Sequence, residues 1–481
     1  MFIAAVLLVG MSIPAFAAVE NVKVGGDITI RGIHRTEYDF TKNSSQAQAA
    51  MDNVDYLMTT TRIYVTSELT DNVAVVVRLI NERDWGADNL IADTFLFNVG
   101  GVDYFLREKR SGSNIDLDLA YIKLSDMFAP GLSATIGRQE ILLGKGLVVG
   151  NANPWGTGKI RTYLDGPNPG TGNPMSVFEV ETPIRAWDYN ARKAFDAVRL
   201  DYALSVIPLT LTGALAKIAE NYNCVIGPDR LGDTSLSVIN ANYQVPVADA
   251  EVEGYFINQS VSHTTKNLGN TNSVSTFGLR GSHNLAVVPG LSYQGELAFQ
   301  SGRGTLGQFA GVDIKNTGSL MDAGVNYAFQ NIAWLPKVGA NYTAYSGDDR
   351  VADAKNKGWV VLYPDGLAEK VGAIAYRNNL IYAGAPTNAQ IFKLSASVQP
   401  TEKLGVNLAW FNEKRQKSTA AADPGLSKDI GDEINLGLNY AYSEDVAMGL
   451  LIGYLQPGKA VKPLLNSTDA MQLVGTVAVS F

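Results

Sequence analysis

Ile434-Asn435-Leu436-Gly437-Leu438-Asn439-Tyr440 is followed, after the turn Ser443-Glu444-Asp445, by Val446-Ala447-Met448-Gly449-Leu450-Leu451-Ile452-Gly453-Tyr454. Every second position is apolar or aromatic, and the positions between are small or polar, interrupted only at Leu451. In a strand that period sends one set to each face. An apolar face suited to lipid, backed by a Gly/Asn face suited to water, is the pattern of a strand that crosses a membrane in a barrel wall.

The pattern repeats along the chain. Val22, Val24, Ile28 and Ile30 alternate with Lys23, Gly25, Asp27, Thr29 and Arg31. Eighteen such segments are predicted, at 22–33, 57–69, 73–83, 115–125, 132–140, 194–205, 208–219, 235–245, 250–261, 273–284, 290–300, 319–330, 336–346, 388–399, 403–413, 432–442, 445–456 and 468–481. Connections alternate between short (70–72, 207–208, 400–402, 443–445) and long (84–114, 141–193, 347–387). Short periplasmic turns, long extracellular loops and an even strand number are the rule for bacterial barrels. The expected fold is all-β: a single transmembrane antiparallel β-barrel of 18 strands.

Composition agrees. Glycine (47) is abundant, tyrosine (21) exceeds phenylalanine (17), and mean hydropathy is close to zero. No apolar run after the N-terminus reaches the roughly 18 residues of a spanning helix. Residues 1–17 read as a signal peptide, with an apolar stretch Met1–Ile13 and a small-x-small site at Ala15-Phe16-Ala17, leaving 18–481 as one barrel domain. No Lys or Arg precedes the apolar core, which places the natural start upstream in this reading.

Several functions are disfavoured. Cys224 is the single cysteine, so no intrachain disulfide, haem-attachment motif or metal knuckle exists. A net charge of −8 without a basic run argues against nucleic acid. His34, His263 and His283 are the only histidines, and none has a Ser/Asp pair close by in sequence. Gly156-x-Gly158-Lys159 continues with Ile160 and lacks the spacing of a phosphate loop. The reading is therefore of a non-enzyme that carries no cofactor and no metal.

Strand parity assigns the charges. Arg31, Arg62, Arg78, Arg199 and Arg280, with Lys23 and Lys393, fall on the lumenal set. So do Glu68, Glu82, Asp118, Asp201, Glu251, Glu253, Glu296, Asp322 and Glu413. An Arg or Lys facing lipid at mid-bilayer costs about 2–4 kcal/mol, so this segregation is an energetic requirement. Arginines concentrate in the first six strands and acids in strands nine to sixteen, a division expected to set a transverse field across a pore.

Ala120-Tyr121-Ile122-Lys123-Leu124, Gly137-Arg138-Gln139, the Gly-rich run Gly144–Gly150 and Arg192-Lys193-Ala194-Phe195-Asp196-Ala197-Val198-Arg199-Leu200 occur in that order. Tyr345-Ser346-Gly347-Asp348, Gly431-Asp432-Glu433 and Gly453-Tyr454-Leu455-Gln456-Pro457-Gly458 follow near the C-terminus, with Leu455 and Gln456 where the pattern has aromatics. Together these elements resemble the alginate-export family of outer-membrane porins. The resemblance implies an 18-stranded porin and favours a lumenal Arg138. Strict alternation points Arg138 outward, so the lumenal position requires a bulge at Gly137.

The last strand alternates through Leu473, Gly475, Val477 and Val479 to Phe481, an ending that resembles the recognition signal of the barrel assembly machinery. Loops 141–193 and 347–387 are the candidate gates. The first holds Trp155, Trp187, Arg161, Arg185, Asp165, Glu179 and Glu181; the second holds Trp359, Tyr363, Tyr376, Asp353, Asp365, Arg350 and Lys357. Expected partners are outer-membrane lipid and lipopolysaccharide, the assembly machinery and a small hydrophilic solute, anionic or saccharide; oligomeric state is left open. The competing reading is a structural or adhesive barrel, or a sheath around a partner protein.

Overall fold

The computed structural model describes residues 21–38, 40, 53–85, 115–152, 189, 191–219, 233–261, 272–304, 314–349, 355–378, 381–382, 386–418, 427–461 and 468–481. It also describes the backbone of 91–99, 102–109, 160–164 and 179–182. The signal-peptide reading of 1–17 and the gate residues Trp155, Trp187, Arg161, Arg185, Asp165, Glu179, Glu181, Asp353 and Arg350 lie outside the described side chains.

Eighteen strands form the wall: β1 Asn21–Thr36, β2 Val54–Thr70, β3 Val73–Asp84, β4 Asp116–Leu124, β5 Leu132–Gln139, β6 Phe195–Ala203, β7 Leu209–Ala219, β8 Thr234–Val245, β9 Ala250–Val261, β10 Asn272–Asn284, β11 Leu291–Gly304, β12 Ser319–Ala328, β13 Lys337–Tyr345, β14 Ala389–Thr401, β15 Leu404–Arg415, β16 Asp429–Ala441, β17 Val446–Pro457 and β18 Ala470–Ser480. Each pairs antiparallel with its chain neighbours, and β1 pairs with β18 from Asp27↔Ser480 to Thr36↔Met471. That last ladder closes the barrel and leaves no edge. Every predicted segment is a strand, with ends displaced by a few residues.

Period two sets the wall's chemistry. Ile239, Leu215, Leu279, Phe277 and Phe299 point outward and are exposed, as a lipid-facing band requires. Their inward neighbours Asn240, Thr276, Arg280 and Gln300 are buried. In β4 the alternation breaks: Arg78 pairs with Leu119 and Leu79 with Leu117, so Asp118 is the extra residue of a bulge. Asp118 and Leu119 are both buried, and parity inverts beyond them.

The long loops are more structured than their sequence suggests. Backbone 91–99, 102–109, 160–164 and 179–182 forms a separate four-stranded sheet. Residues 141–152 and 355–378 enter the barrel, the latter carrying two short helices, α1 Ala368–Val371 and α2 Ala373–Arg377. Among the described residues no helix is long and apolar enough to cross a membrane.

The apolar core lies inside the barrel. Ile141, Leu143, Leu147, Val148 and Val149 pack with Trp359, Leu362, Tyr363, Leu367, Val371 and Ile374 against inward-facing Phe195, Leu236, Val238 and Ile257. Burying each large apolar side chain contributes about 1.5–3 kcal/mol, enough to hold both segments in place.

Candidate functional site: the constricted lumen

The two inserted segments are stitched together by backbone. Tyr363 N–H donates to Val148 O at 2.9 Å, Gly150 N–H to Tyr363 O at 2.7 Å, and Asp365 N–H to Gly146 O at 2.8 Å. A parallel bridge between Val149 and Tyr363 results. Lys193 Nζ lies 2.7 Å from Asp365 Oδ2 and ties the pair to the start of β6.

Wall side chains then fix the 355–378 segment. Gln300 makes a reciprocal pair with Val360, donating from Nε2 to its carbonyl and accepting its N–H, both at 2.8 Å. Gln259 Nε2 donates to the Tyr363 phenol oxygen at 2.8 Å. Burial, the larger influence, pushes that phenol up to about 12, so it stays protonated. Lys370 Nζ meets Asp322 Oδ2 at 2.6 Å, and Lys393 Nζ donates to Glu369 O at 2.6 Å. Fully buried Glu433 accepts the N–H groups of Ile374 and Ala375, each at 2.9 Å. It thereby satisfies the free amides at the start of α2. Gly372 (φ 110°) makes this approach possible, because a Cβ there would lie 2.6 Å from Glu433 Oε2.

One lateral row of the wall gathers three of the predicted lumenal acids around Arg280. The register runs Asn242↔Glu253↔Arg280↔Glu296↔Asp322↔Thr343 across β8 to β13. Arg280 Nη1 lies 3.2 Å from Glu253 Oε2 and 3.3 Å from Glu251 Oε1. Glu296 accepts the Tyr255 hydroxyl at 2.6 Å. The inserted loop touches this row at Gly144 (φ 55°), whose N–H donates to Glu253 Oε1 at 3.1 Å.

The arginines of the early strands are mostly paired. Arg62 lies 3.0 Å from Asp27, Arg78 2.6 Å from Asp118 with Glu140 on its other side, and Arg199 2.9 Å from Asp201. Lys23 and Glu68 stand 4.0 Å apart at the turn end of the barrel, and Glu82 faces Arg192 at 3.1 Å. Buried Glu413 faces inward on the same strand as Phe411, and Lys393 stands 5.5 Å from the Phe411 ring. Arg31 makes no ion pair among the described residues; it reaches Thr60 Oγ1 at 3.5 Å and lies 5.8 Å from the Tyr189 ring. Arg35 and Arg377 border the same ring at 5.9 and 4.3 Å. Local pairing thus offsets the charges of Arg62, Arg78 and Arg199, whereas Arg31 has no such partner among the described residues.

Arg138 corrects the expectation. The β5 register runs through Gly137 without a shift, Ile136↔Val198, Gly137↔Ala197, Arg138↔Asp196, although Gly137 has φ 123°. Exposed Val198 shares the outward parity of Asp196, so Arg138 lies on the outer face, 3.0 Å from Asp196. The bulge in this region sits in β4 instead. Lys145, Lys370, Arg35, Arg377 and Glu433 are contributors that the charge reading missed. Glu433 was legible from its phase with Asn435 and Gly437; the loop lysines have no period to betray them.

A closed 18-stranded barrel with an apolar outer band, charged inner rows and loops folded into its lumen is a bacterial outer-membrane channel. The sequence profile of the alginate export family matches residues 27–472, and the chain belongs to that family. In fold it is similar to outer-membrane proteins of Pseudomonas aeruginosa. OccK11 (OpdR) is 12% identical, with 95% of this chain and 96% of that one covered and a TM-score of 0.52. OccK2 (OpdF), solved in complex with glucuronate, is 12% identical over 96% and 99%, TM-score 0.53. OpdK, solved with vanillate, is 11% identical over 95% and 99%, TM-score 0.52. Among curated proteins no match is found.

Proposed function

We propose that this channel passes small hydrophilic solutes one at a time through a rigid constriction, with weak preference for anions. The observation that carries the reading is the pairing of segments 141–152 and 355–378 inside the lumen, anchored to the wall by Gln259, Gln300, Asp322 and Glu433. A lumen filled by the chain's own loops leaves little room for a sheathed partner, which counts against that alternative. Arg31 beside Tyr189 offers charge and a ring face to a carboxylated solute. Glucuronate and vanillate, bound by two structural neighbours, are carboxylates of suitable size. Neither the family nor the geometry calls for catalysis, and a non-enzymatic role fits both. Residues 1–17 serve as the export signal in this reading, and Phe481 as the mark read by the assembly machinery. Planar-bilayer recording of the purified protein tests the proposal: discrete open steps are expected, and a silent barrel would overturn it.

A further inference from the structure

Below the acidic row the lumen changes character. Two residues toward the short turns, about 7 Å along the strands, the register reads Gln244↔Glu251↔Ser282↔Gln294↔Gly324. Two residues further, it reads Asn284↔Ser292↔Asn326. Side chains of both rows line a recess of about 320 Å3, together with Arg280, Asp249 and, from the inserted loop, Lys145. Gly324 keeps the wall flat there, since a Cβ would sit 2.5 Å from Asn341 Oδ1 and 3.5 Å from Gln294 Nε2.

Amides and hydroxyls both donate and accept. Their lateral spacing of about 4.8 Å and axial spacing of about 7 Å are on the scale of hydroxyl separations across and between pyranose rings. The charges on the recess are equal in number: Glu251 faces Arg280 at 3.3 Å, and Asp249 and Lys145 add one of each sign. A free carboxylate entering would meet Glu251 and Asp249 and find no net positive charge. A hydroxyl is served by the amides and hydroxyls of the wall, of which Gln244 already donates to Asn242 and Asn284 to Asp249.

We infer that the recess formed by Gln244, Ser282, Gln294, Ser292, Asn326 and Lys145 is a docking station for a neutral saccharide on the periplasmic side of the constriction. The inference rests on the channel reading and adds a substrate class distinct from the carboxylates bound by the structural neighbours. Gln294 and Asn326 supply directional hydrogen bonds from adjacent strands, and Glu251 with Asp249 removes the net attraction that an anionic sugar would need.

Two measurements test it. In planar bilayers, maltotriose added on the periplasmic side should interrupt the current, and in Gln294→Leu/Asn326→Leu the interruptions should last about tenfold less, the loss of two neutral hydrogen bonds. Saturation-transfer NMR on the detergent-solubilised full chain reads binding without conduction: maltotriose signals should respond with the parent and not with the double variant, whose folding is checked by heat-modifiable gel migration. Glu251→Gln should let glucuronate compete for the site. Equal blockade times in parent and folded double variant, or no NMR response from the parent, would overturn the station. A parent that binds maltotriose by NMR yet conducts no ions would keep the station and sink the channel reading instead.

Discussion

The amide of Gly26 donates to the carbonyl of Phe481 at 2.9 Å, and the Phe481 amide donates back to Gly26 at 3.0 Å. The last residue of the chain thus completes the β1–β18 seam. Its ring lies over Gly26, where a Cβ would stand 2.6 Å from Phe481 Cζ.

Deleting Phe481 removes two seam hydrogen bonds, each contributing about 1 kcal/mol, together with the ring contact. The expected outcome is a lower outer-membrane level in cells, while refolded truncated protein still conducts. Membrane fractionation and bilayer recording check the two halves, and a normal outer-membrane level would remove the proposed assembly role.

Glu433→Ala takes away the acceptor for two buried N–H groups of α2. Hydrogen bonds to a charged group contribute about 1.5–3 kcal/mol each, so the 355–378 segment should loosen. Single-channel current is expected to rise and become noisier. Current traces indistinguishable from the parent's would show that the remaining anchors suffice.

Arg31→Gln should shift the reversal potential in a salt gradient toward cations, because it deletes a lumenal charge that makes no direct ion pair among the described residues. Arg62→Gln, Arg78→Gln and Arg199→Gln should act in the same direction by exposing Asp27, Asp118 and Asp201. Arg138→Gln should leave the potential unchanged, since Arg138 faces outward against Asp196. A shift from Arg138→Gln comparable to that of Arg31→Gln would contradict the register.

Lys370 and Asp322 form a pair with side chains 16% and 3% exposed. Removing one partner of a buried pair costs about 3–5 kcal/mol, so Lys370→Met should lower the temperature at which the barrel band is lost on gels. Asp322 also accepts from Asn341 at 2.9 Å and Thr343 at 2.6 Å. Asp322→Asn keeps an acceptor for those donors, and the double replacement should therefore be milder than Lys370→Met alone. Additive effects in the double-mutant cycle would refute the coupling.

The sequence by itself determined the eighteen strands, their antiparallel order and the side each alternating residue takes. Lipid outside and water inside act on every strand separately, and a period of two records that asymmetry within a dozen residues. Arg280, Glu253, Glu296 and Asp322 point inward and are buried, as that period alone requires. Tertiary structure alone decided what fills the lumen. Val149 meets Tyr363, and Lys370 meets Asp322, across long stretches of chain that no local pattern connects. It also decided the exceptions to parity. The bulge at Asp118 turns both Asp118 and Leu119 inward, while the positive φ of Gly137 leaves the ladder intact and Arg138 outside. A bulge is a compromise between neighbouring strands over which residue stays unpaired, and neither strand's own sequence contains the other's register.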